Sequence, residues 1–310
     1  MKENRVWPKV IRGEYIDIIA PSGKVSEQDL INIADYVERW GFKPRIPKNI
    51  IGDHPFLANE DELRWSLLES AFNAEDSTIV WCVRGGHGAT RLLPRLVQLP
   101  KPNKSKLLIG FSDICALHLW LNQAWKWPSI HGPMARLTAA GKIHARDLEA
   151  LAALCFQGSQ SYSCSGLLPL NKWARETTSL EGVTAGGCMT VLQTSFGTPW
   201  ELDATDKILV LEDVNEPVYR LDRIFIHFAN AGFFNKAKAL LIGDFGEKDE
   251  EDPLIEKMLH EICEQYFLEN QIHLPAFRLR GFGHASHNLP LPLGIQGTIL
   301  KRKNEWVLEF

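Results

Sequence analysis

Lys106-Leu107-Leu108-Ile109-Gly110-Phe111-Ser112-Asp113-Ile114 joins a short apolar run to a segment whose apolar residues recur with helical period as far as Trp125. The run reads as a buried strand over 106–109, and the change of period after Ser112 predicts a sharp strand-to-helix turn. Gly110 would permit the bend. A serine projected from such a turn can meet a substrate carbonyl without steric cover. A helix starting near Ile114 would also aim its unpaired first N–H groups, that of Asp113 among them, at the point where an oxyanion forms. The pattern lacks the second glycine of the G-x-S-x-G elbow, and a serine ahead of a helix is also the ordinary N-cap residue. This stretch alone leaves both roles open.

On either side the same alternation recurs. Residues 15–20 read as a strand broken by Pro21-Ser22-Gly23, and Ser26 with Asp29 resembles a capping box for a helix ending near Gly41. A helix is expected over about 60–73, with Leu63, Leu67 and Ala71 on one face, then a buried strand over 78–83. Arg84-Gly85-Gly86-His87-Gly88 follows, then a helix over about 89–96. Strands alternating with helices imply a parallel sheet with covering helices. Between about 157 and 184 the pattern weakens into Ser, Gly and Thr, which places an N-terminal domain at 1–160, a linker at 161–184 and a C-terminal domain at 185–310. The second half reads as a helix before Gly197-Thr198-Pro199, a strand over 207–211 ending at Glu212, a helix over about 221–231, a strand over 239–242, a helix after Pro253 and closing short strands.

Composition narrows the function. The 310 residues suffice for two ordinary domains, and a hydrophobic content of 45% can fill a sizeable core. The 34 basic and 38 acidic side chains give a formal charge of -4 with no long run of one sign, which argues against nucleic acid as a partner. Cys82, Cys115, Cys155, Cys164, Cys188 and Cys263 are scattered, without a C-x-x-C pair or a zinc-type Cys/His spacing. They read as reduced thiols of a cytoplasmic protein, and neither metal nor cofactor is expected. Residues 1–8 carry Lys2, Glu3, Asn4 and Arg5 but no apolar h-region, and no stretch nears the roughly 18 apolar residues of a membrane span. Neither a cleaved signal nor membrane insertion is expected.

A nucleophilic serine needs a base. Among ten histidines, His284 in Arg280-Gly281-Phe282-Gly283-His284-Ala285 is the best candidate, because the flanking glycines let a loop bring the ring close to other backbone. His118 and His227 lie at helical positions and read as packing or surface groups, whereas His131 and His87 sit in turn-like segments and could line a pocket. A third group must hold the histidine tautomer, and a carboxylate at a strand's C-terminal end suits that task. Glu212 and Glu216 both qualify, in a loop that would also make a solvated turn or a metal site, although no second ligand cluster has the spacing for a metal. The loop 84–88 invites a phosphate reading but matches neither G-x-G-x-x-G nor a P-loop. A backbone N–H there, at Gly86, could complete an oxyanion hole with that of Asp113; a plain flexible turn accounts for the loop equally well.

Together these segments resemble the LD-carboxypeptidase family, serine peptidases of the S66 type that include the microcin C self-immunity peptidases. The resemblance runs through nearly the whole chain: Ile19-Ala20-Pro21-Ser22-Gly23, the 84–88 loop with Arg91-Leu92-Leu93-Pro94, Gly110-Phe111-Ser112-Asp113-Ile114 and His131-Gly132-Pro133-Met134. It continues in Gly186-Gly187 with Gly197-Thr198-Pro199, Leu211-Glu212-Asp213 with Tyr219-Arg220-Leu221-Asp222-Arg223, and Gly283-His284. It implies an N-terminal Rossmann-like α/β domain with a mainly parallel sheet, a C-terminal mixed α/β domain rich in strands, and an active site in the cleft between them. It implies that Ser112 attacks, His284 moves the proton and Glu212, preferred to Glu216 because it directly follows the strand, orients His284. It also implies a homodimer and a small peptide substrate, commonly a murein tetrapeptide cut between meso-diaminopimelate and D-Ala, with Arg84, His87, His131 and Cys188 as substrate-binding candidates.

Two departures bear on the substrate: Cys188 follows Gly186-Gly187 where the family often has Asn, and His87 stands where an aromatic often follows the paired glycines. The rival readings are an immunity-type peptidase acting on peptidyl or aminoacyl nucleotides, a catalytically silent peptide-binding protein, and a nucleotide-binding α/β protein.

Overall fold

The computed structural model describes residues 6–246 and 252–310; residues 1–5, on which most of the reading of the N-terminus rests, lie outside the described residues. The chain divides into unit 1 (Met1–Gly158, Gly197–Trp200, Pro290–Gly294) and unit 2 (Ser159–Phe196, Glu201–Leu289, Ile295–Phe310).

Unit 1 is built on apolar runs that bury both faces. Strands β1 (Tyr15–Ile19), β2 (Lys43–Arg45), β3 (Ser77–Cys82), β4 (Leu107–Gly110) and β5 (Ser129–His131) pair in parallel in the order β2-β1-β3-β4-β5. Every residue of β3 and β4 is buried, as a sheet covered on both faces requires. The short strand Leu291–Leu293 adds antiparallel to β5. The helix Glu27–Arg39 starts at the expected capping box, with Ser26 and Asp29 bonded reciprocally. The helix Asp61–Asn73 buries Arg64, Trp65, Leu68, Ala71 and Phe72, a face displaced from the expected Leu63 and Leu67. An arginine can join that face because its guanidinium finds carbonyl partners, described below. The strand order reverses between β1 and β3, which puts the loops after those strands at the switch point where open α/β sheets bind ligands.

Unit 2 is a closed seven-strand barrel. Its strands β6 (Ser163–Pro169), β7 (Ser179–Cys188), β8 (Lys207–Glu212), β9 (Ala239–Ile242) and β10 (Ala276–Arg278) are joined by β12 (Gln296–Arg302) and β13 (Glu305–Glu309), β11 being the Leu291–Leu293 strand of unit 1. The order around the barrel is β10-β6-β13-β12-β7-β8-β9. This corrects the reading of 161–184 as a linker: the stretch supplies β6, the helix Lys172–Glu176 and most of β7. The Ser- and Gly-rich composition belongs to the outward face, since Ser163, Ser165 and Gly166 are exposed while Cys164 and Leu167 are buried. Alternation that short and that polar resembles a loop in sequence.

All six cysteines are buried, and none is joined in a disulfide. Among the described residues no helix is long and apolar enough to cross a membrane.

Candidate active site

In unit 1, three loops at the carboxyl ends of β1, β3 and β4 are tied together around Ser112. The Asp113 carboxylate accepts hydrogen bonds from Ser22 Oγ at 2.6 Å and from the Ala89 N–H at 2.8 Å. The Gly23 N–H donates to Gly85 O at 3.2 Å. Arg64, 2% exposed, donates to Pro21 O and, at 3.1 Å, to Gly88 O, and pairs with Asp61 at 2.6 Å. The side chains of Asp113 and Arg64 thus bracket the β1 and β3 loops from two sides. Composition and periodicity concealed Arg64, which lies in an otherwise amphipathic helix.

Ser112 holds φ 60° in the left-handed region and opens a short 3-10 turn, Ser112–Ile114, ahead of the helix Cys115–Trp120. The bend is therefore taken at the serine itself, not at Gly110, which has no positive φ. No capping bond to Ser112 is present among the described residues, so the N-cap role does not apply. Left-handed backbone at a non-glycine residue costs on the order of 1–3 kcal/mol and persists only where surroundings over-determine it. Here Gly110 O is fixed by His118 Nε2 at 2.9 Å and by the Gly132 N–H at 3.2 Å. Burial, chiefly, pushes the His118 imidazolium pKa down to about 3, so the ring is neutral at ordinary pH. Gly85 packs against the serine: a Cβ there would lie 2.9 Å from Ser112 Cβ and 3.0 Å from Oγ, so only glycine lets the β3 loop approach so closely.

The other candidates of unit 1 divide by exposure. Gly86 holds φ 119° on the exposed side of the loop, and His87 is exposed with its ring tilted against Phe56 at 6.1 Å between centroids. Arg84 is half-buried, its Nε donating to Gly85 O at 3.2 Å. His131 is 1% exposed and packs against Phe111 with ring centroids 5.7 Å apart.

In unit 2, Glu212 ends β8 fully buried and its Oε2 lies 2.7 Å from His284 Nδ1; the histidine side chain is 11% exposed. Glu216 instead pairs with Arg220 one helical turn on, at 3.3 Å. The loop bearing His284 is seated by backbone: Asp244 N–H donates to Phe282 O at 2.7 Å and Gly281 N–H to Asp244 Oδ2 at 2.7 Å. A Cβ on Gly243 would fall 2.2 Å from Phe282 O and 3.1 Å from Glu212 Cβ, so glycine is what allows the loop to lie against the end of β8. Asp213, next to Glu212, accepts from Thr190 N–H and Oγ1, Val214 N–H and the Cys188 thiol. Burial, and then the charge of Glu212, raises its carboxyl pKa. Cys188 is 5% exposed and stands opposite Glu212 in the β7–β8 register. Asp244 escaped the sequence reading because it lies at no position that periodicity or a motif singles out, and Asp213, although part of the Leu211-Glu212-Asp213 motif, was given no role there. Within either unit taken alone, no group of three metal-ligating side chains comes together among the described residues.

Both units have counterparts among known proteins. Residues 16–132 match the LD-carboxypeptidase N-terminal domain and residues 181–299 the LD-carboxypeptidase C-terminal domain. A serine set on a strained strand-to-helix turn in one unit and a buried Glu–His pair in the other thus occur in a peptidase, a hydrolase of amide bonds. A Rickettsia conorii protein provisionally named a carboxypeptidase is 36% identical over 252 residues, 81% of this chain and 77% of that protein. The chain belongs to the LD-carboxypeptidase family. The murein tetrapeptide carboxypeptidase of Pseudomonas aeruginosa is 29% identical over 94% of each chain. Among solved structures, the muramoyltetrapeptide carboxypeptidase of Oxalobacter formigenes has a TM-score of 0.75 at 26% identity, covering 94% of this chain and 97% of that one. An MccF-like protein of Bacillus anthracis shares the fold, with a TM-score of 0.81 at 18% identity over 98% of each chain.

Proposed function

We propose that this protein is a cytoplasmic, homodimeric serine carboxypeptidase that removes the terminal D-Ala after the L-centre of meso-diaminopimelate in murein tetrapeptides. The observation that carries the reading is the buried Glu212–His284 pair at 2.7 Å. A buried carboxylate at Nδ1 keeps the proton on that nitrogen, leaves Nε2 as the base and stabilises the imidazolium once formed. In this mechanism Ser112 Oγ attacks the amide carbonyl while its proton passes to His284 Nε2. The N–H groups of Gly86 and Asp113 receive the oxyanion. Collapse breaks the C–N bond, His284 protonates the leaving amine, and D-Ala departs. Water then opens the acyl-serine ester by the same proton route.

Of the substrate-binding candidates, Arg84 and His87 offer surface to a peptide, whereas His131 and Cys188 are buried. The names of the Pseudomonas and Oxalobacter relatives favour a murein peptide. The microcin C7 self-immunity protein MccF, solved in complex with aspartyl sulfamoyl adenosine, shares the fold at 18% identity and supplies the rival substrate. The test is mass spectrometry of a murein tetrapeptide and of an aminoacyl-sulfamoyl adenylate after incubation with the protein. Loss of one alanine from the tetrapeptide is expected. Cleavage of the adenylate alone would transfer the reading to the immunity class, and cleavage of neither would end it.

A further inference from the structure

We propose that Arg84 and Arg136 form a two-arginine clamp for the free carboxylate of the substrate's terminal residue, so that the protein acts on peptide acids in preference to peptide amides. The inference rests on Ser112 being the attacking residue, and it adds a residue, Arg136, that no motif singled out.

The geometry lies within unit 1. The Arg136 N–H donates to Val83 O at 3.1 Å, which pins the start of the helix Ala135–Ala139 to the residue just before Arg84. Gly85 follows Arg84; a Cβ there would sit 2.9 Å from Ser112 Cβ and 3.3 Å from Met134 Cε, two residues before Arg136. Both arginines therefore branch from backbone that flanks the serine. The Arg84 guanidinium lies beside Gly23 and Gly86: a Cβ on Gly86 would be 3.8 Å from its Nη2. An exopeptidase that removes one residue meets the terminal carboxylate about one residue, roughly 3.8 Å of chain, from the carbonyl it attacks. The Arg84 guanidinium stands beside Gly86, one residue on from the Gly85 that packs against Ser112.

The charges are also unspent. Arg84 donates only to backbone carbonyls, those of Gly85 and Lys24, and neither arginine forms an ion pair among the described residues. Arg136 Nε is buried without a hydrogen-bond partner. Burial first and the charge of Arg136 second hold the Arg84 guanidinium below the usual arginine range. Asp29, the carboxylate whose charge reaches both, is committed to the Ser26 capping box through Ser26 N–H and Oγ. Two guanidinium groups branching from backbone beside the serine, neither ion-paired among the described residues, fit a planar anion received bidentately.

The test compares a murein tetrapeptide with its C-terminal carboxamide. The protein should prefer the acid, and Arg84→Gln or Arg136→Gln should lower kcat/KM for the acid by about 10- to 100-fold, mainly through KM, and by several-fold less for the amide, so that the preference for the acid shrinks. Arg136→Lys should recover part of the loss and carries the test should Arg136→Gln fail to fold. Equal cleavage of acid and amide by the unaltered protein, or equal losses on both in the variants, would overturn the clamp. Calorimetry with Ser112→Ala separates this failure from that of the proposed reaction. If the unaltered protein cleaves neither peptide, binding selective for the acid that vanishes in Ser112→Ala/Arg136→Gln still upholds the clamp, whereas unselective or absent binding overturns it.

Discussion

Replacing Glu212 by glutamine, with Glu216→Gln as its partner experiment, separates the two carboxylates that the sequence left in competition. Glutamine matches glutamate in shape but not in charge. If its amide NH2 turns toward His284, Nδ1 must become the acceptor and the proton moves to Nε2, which removes the base. If its amide oxygen turns inward, the tautomer survives but the charge that stabilises the imidazolium is gone. Glu212 is fully buried and 2.7 Å from the ring, so no water stands ready to replace it. Comparable triads lose about four orders of magnitude in kcat when the acid becomes its amide, or about 5.4 kcal/mol of barrier. Glu216 bonds the solvent-facing Arg220 at 3.3 Å, and the carboxylate beside His284 is that of Glu212, so the Glu216 amide should keep kcat within about two-fold. Release of D-Ala from a murein tetrapeptide, followed by mass spectrometry and normalised to folded protein by circular dichroism, reads both variants. The reasoning is refuted if Glu216→Gln is the more damaging, or if Glu212→Gln stays within about tenfold of the unaltered protein.

Ser112→Ala should abolish cleavage while the chain stays folded and still binds peptide; undiminished turnover would remove Ser112 from the mechanism. Asp113→Ala leaves the buried Ala89 N–H and Ser22 hydroxyl without their acceptor and should cost about 3 kcal/mol in urea unfolding, with a parallel loss of turnover; a cost below about 1 kcal/mol would mean that Asp113 does not brace the loops. His118 makes stability depend on acid. Its folded pKa is near 3 against about 6.5 unfolded, so between those values the unfolded chain binds the extra proton and stability falls as pH drops, by up to about 1.4 kcal/mol per pH unit. His118→Gln should flatten that loss between pH 6.5 and 4, measured by urea unfolding; identical acid slopes would contradict it.

Much of unit 1 was legible because its elements satisfy local rules. Buried runs such as Leu107–Gly110 have no amphipathic alternative at that length, and the Ser26–Asp29 box marks its helix start directly. Unit 2 was less so, because a barrel strand that is half solvated needs only two or three apolar residues. Cys164 and Leu167 are the only fully buried residues of β6, too sparse a signal to distinguish it from a loop. At the candidate site, the strand-to-helix turn at Ser112 and the strand end at Glu212 were legible from residue type and punctuation, while the choice of Ser112, Glu212 and His284 as one triad came from the family resemblance and stands as a proposal. Arg64, Arg136 and Asp244 were not, since each acts on backbone or charge of a segment far away in sequence, and only tertiary contacts reveal it.

The strain at Ser112 explains why the motifs around it cluster as they do. A serine held at φ 60° relaxes unless its neighbours forbid it, and each neighbour that forbids it leaves a trace in the sequence. Asp113 must be a carboxylate to hold both Ser22 and Ala89, Gly85 must lack a side chain to lie against the serine, and Gly110 O must face two donors, His118 and Gly132. Pro21-Ser22-Gly23, the 84–88 loop and the residues around Ser112 are thus parts of one constraint that keeps a hydroxyl projected from its turn. A turn needed only for packing would have no use for that constraint, because glycine at 112 would remove the strain without any of these ties.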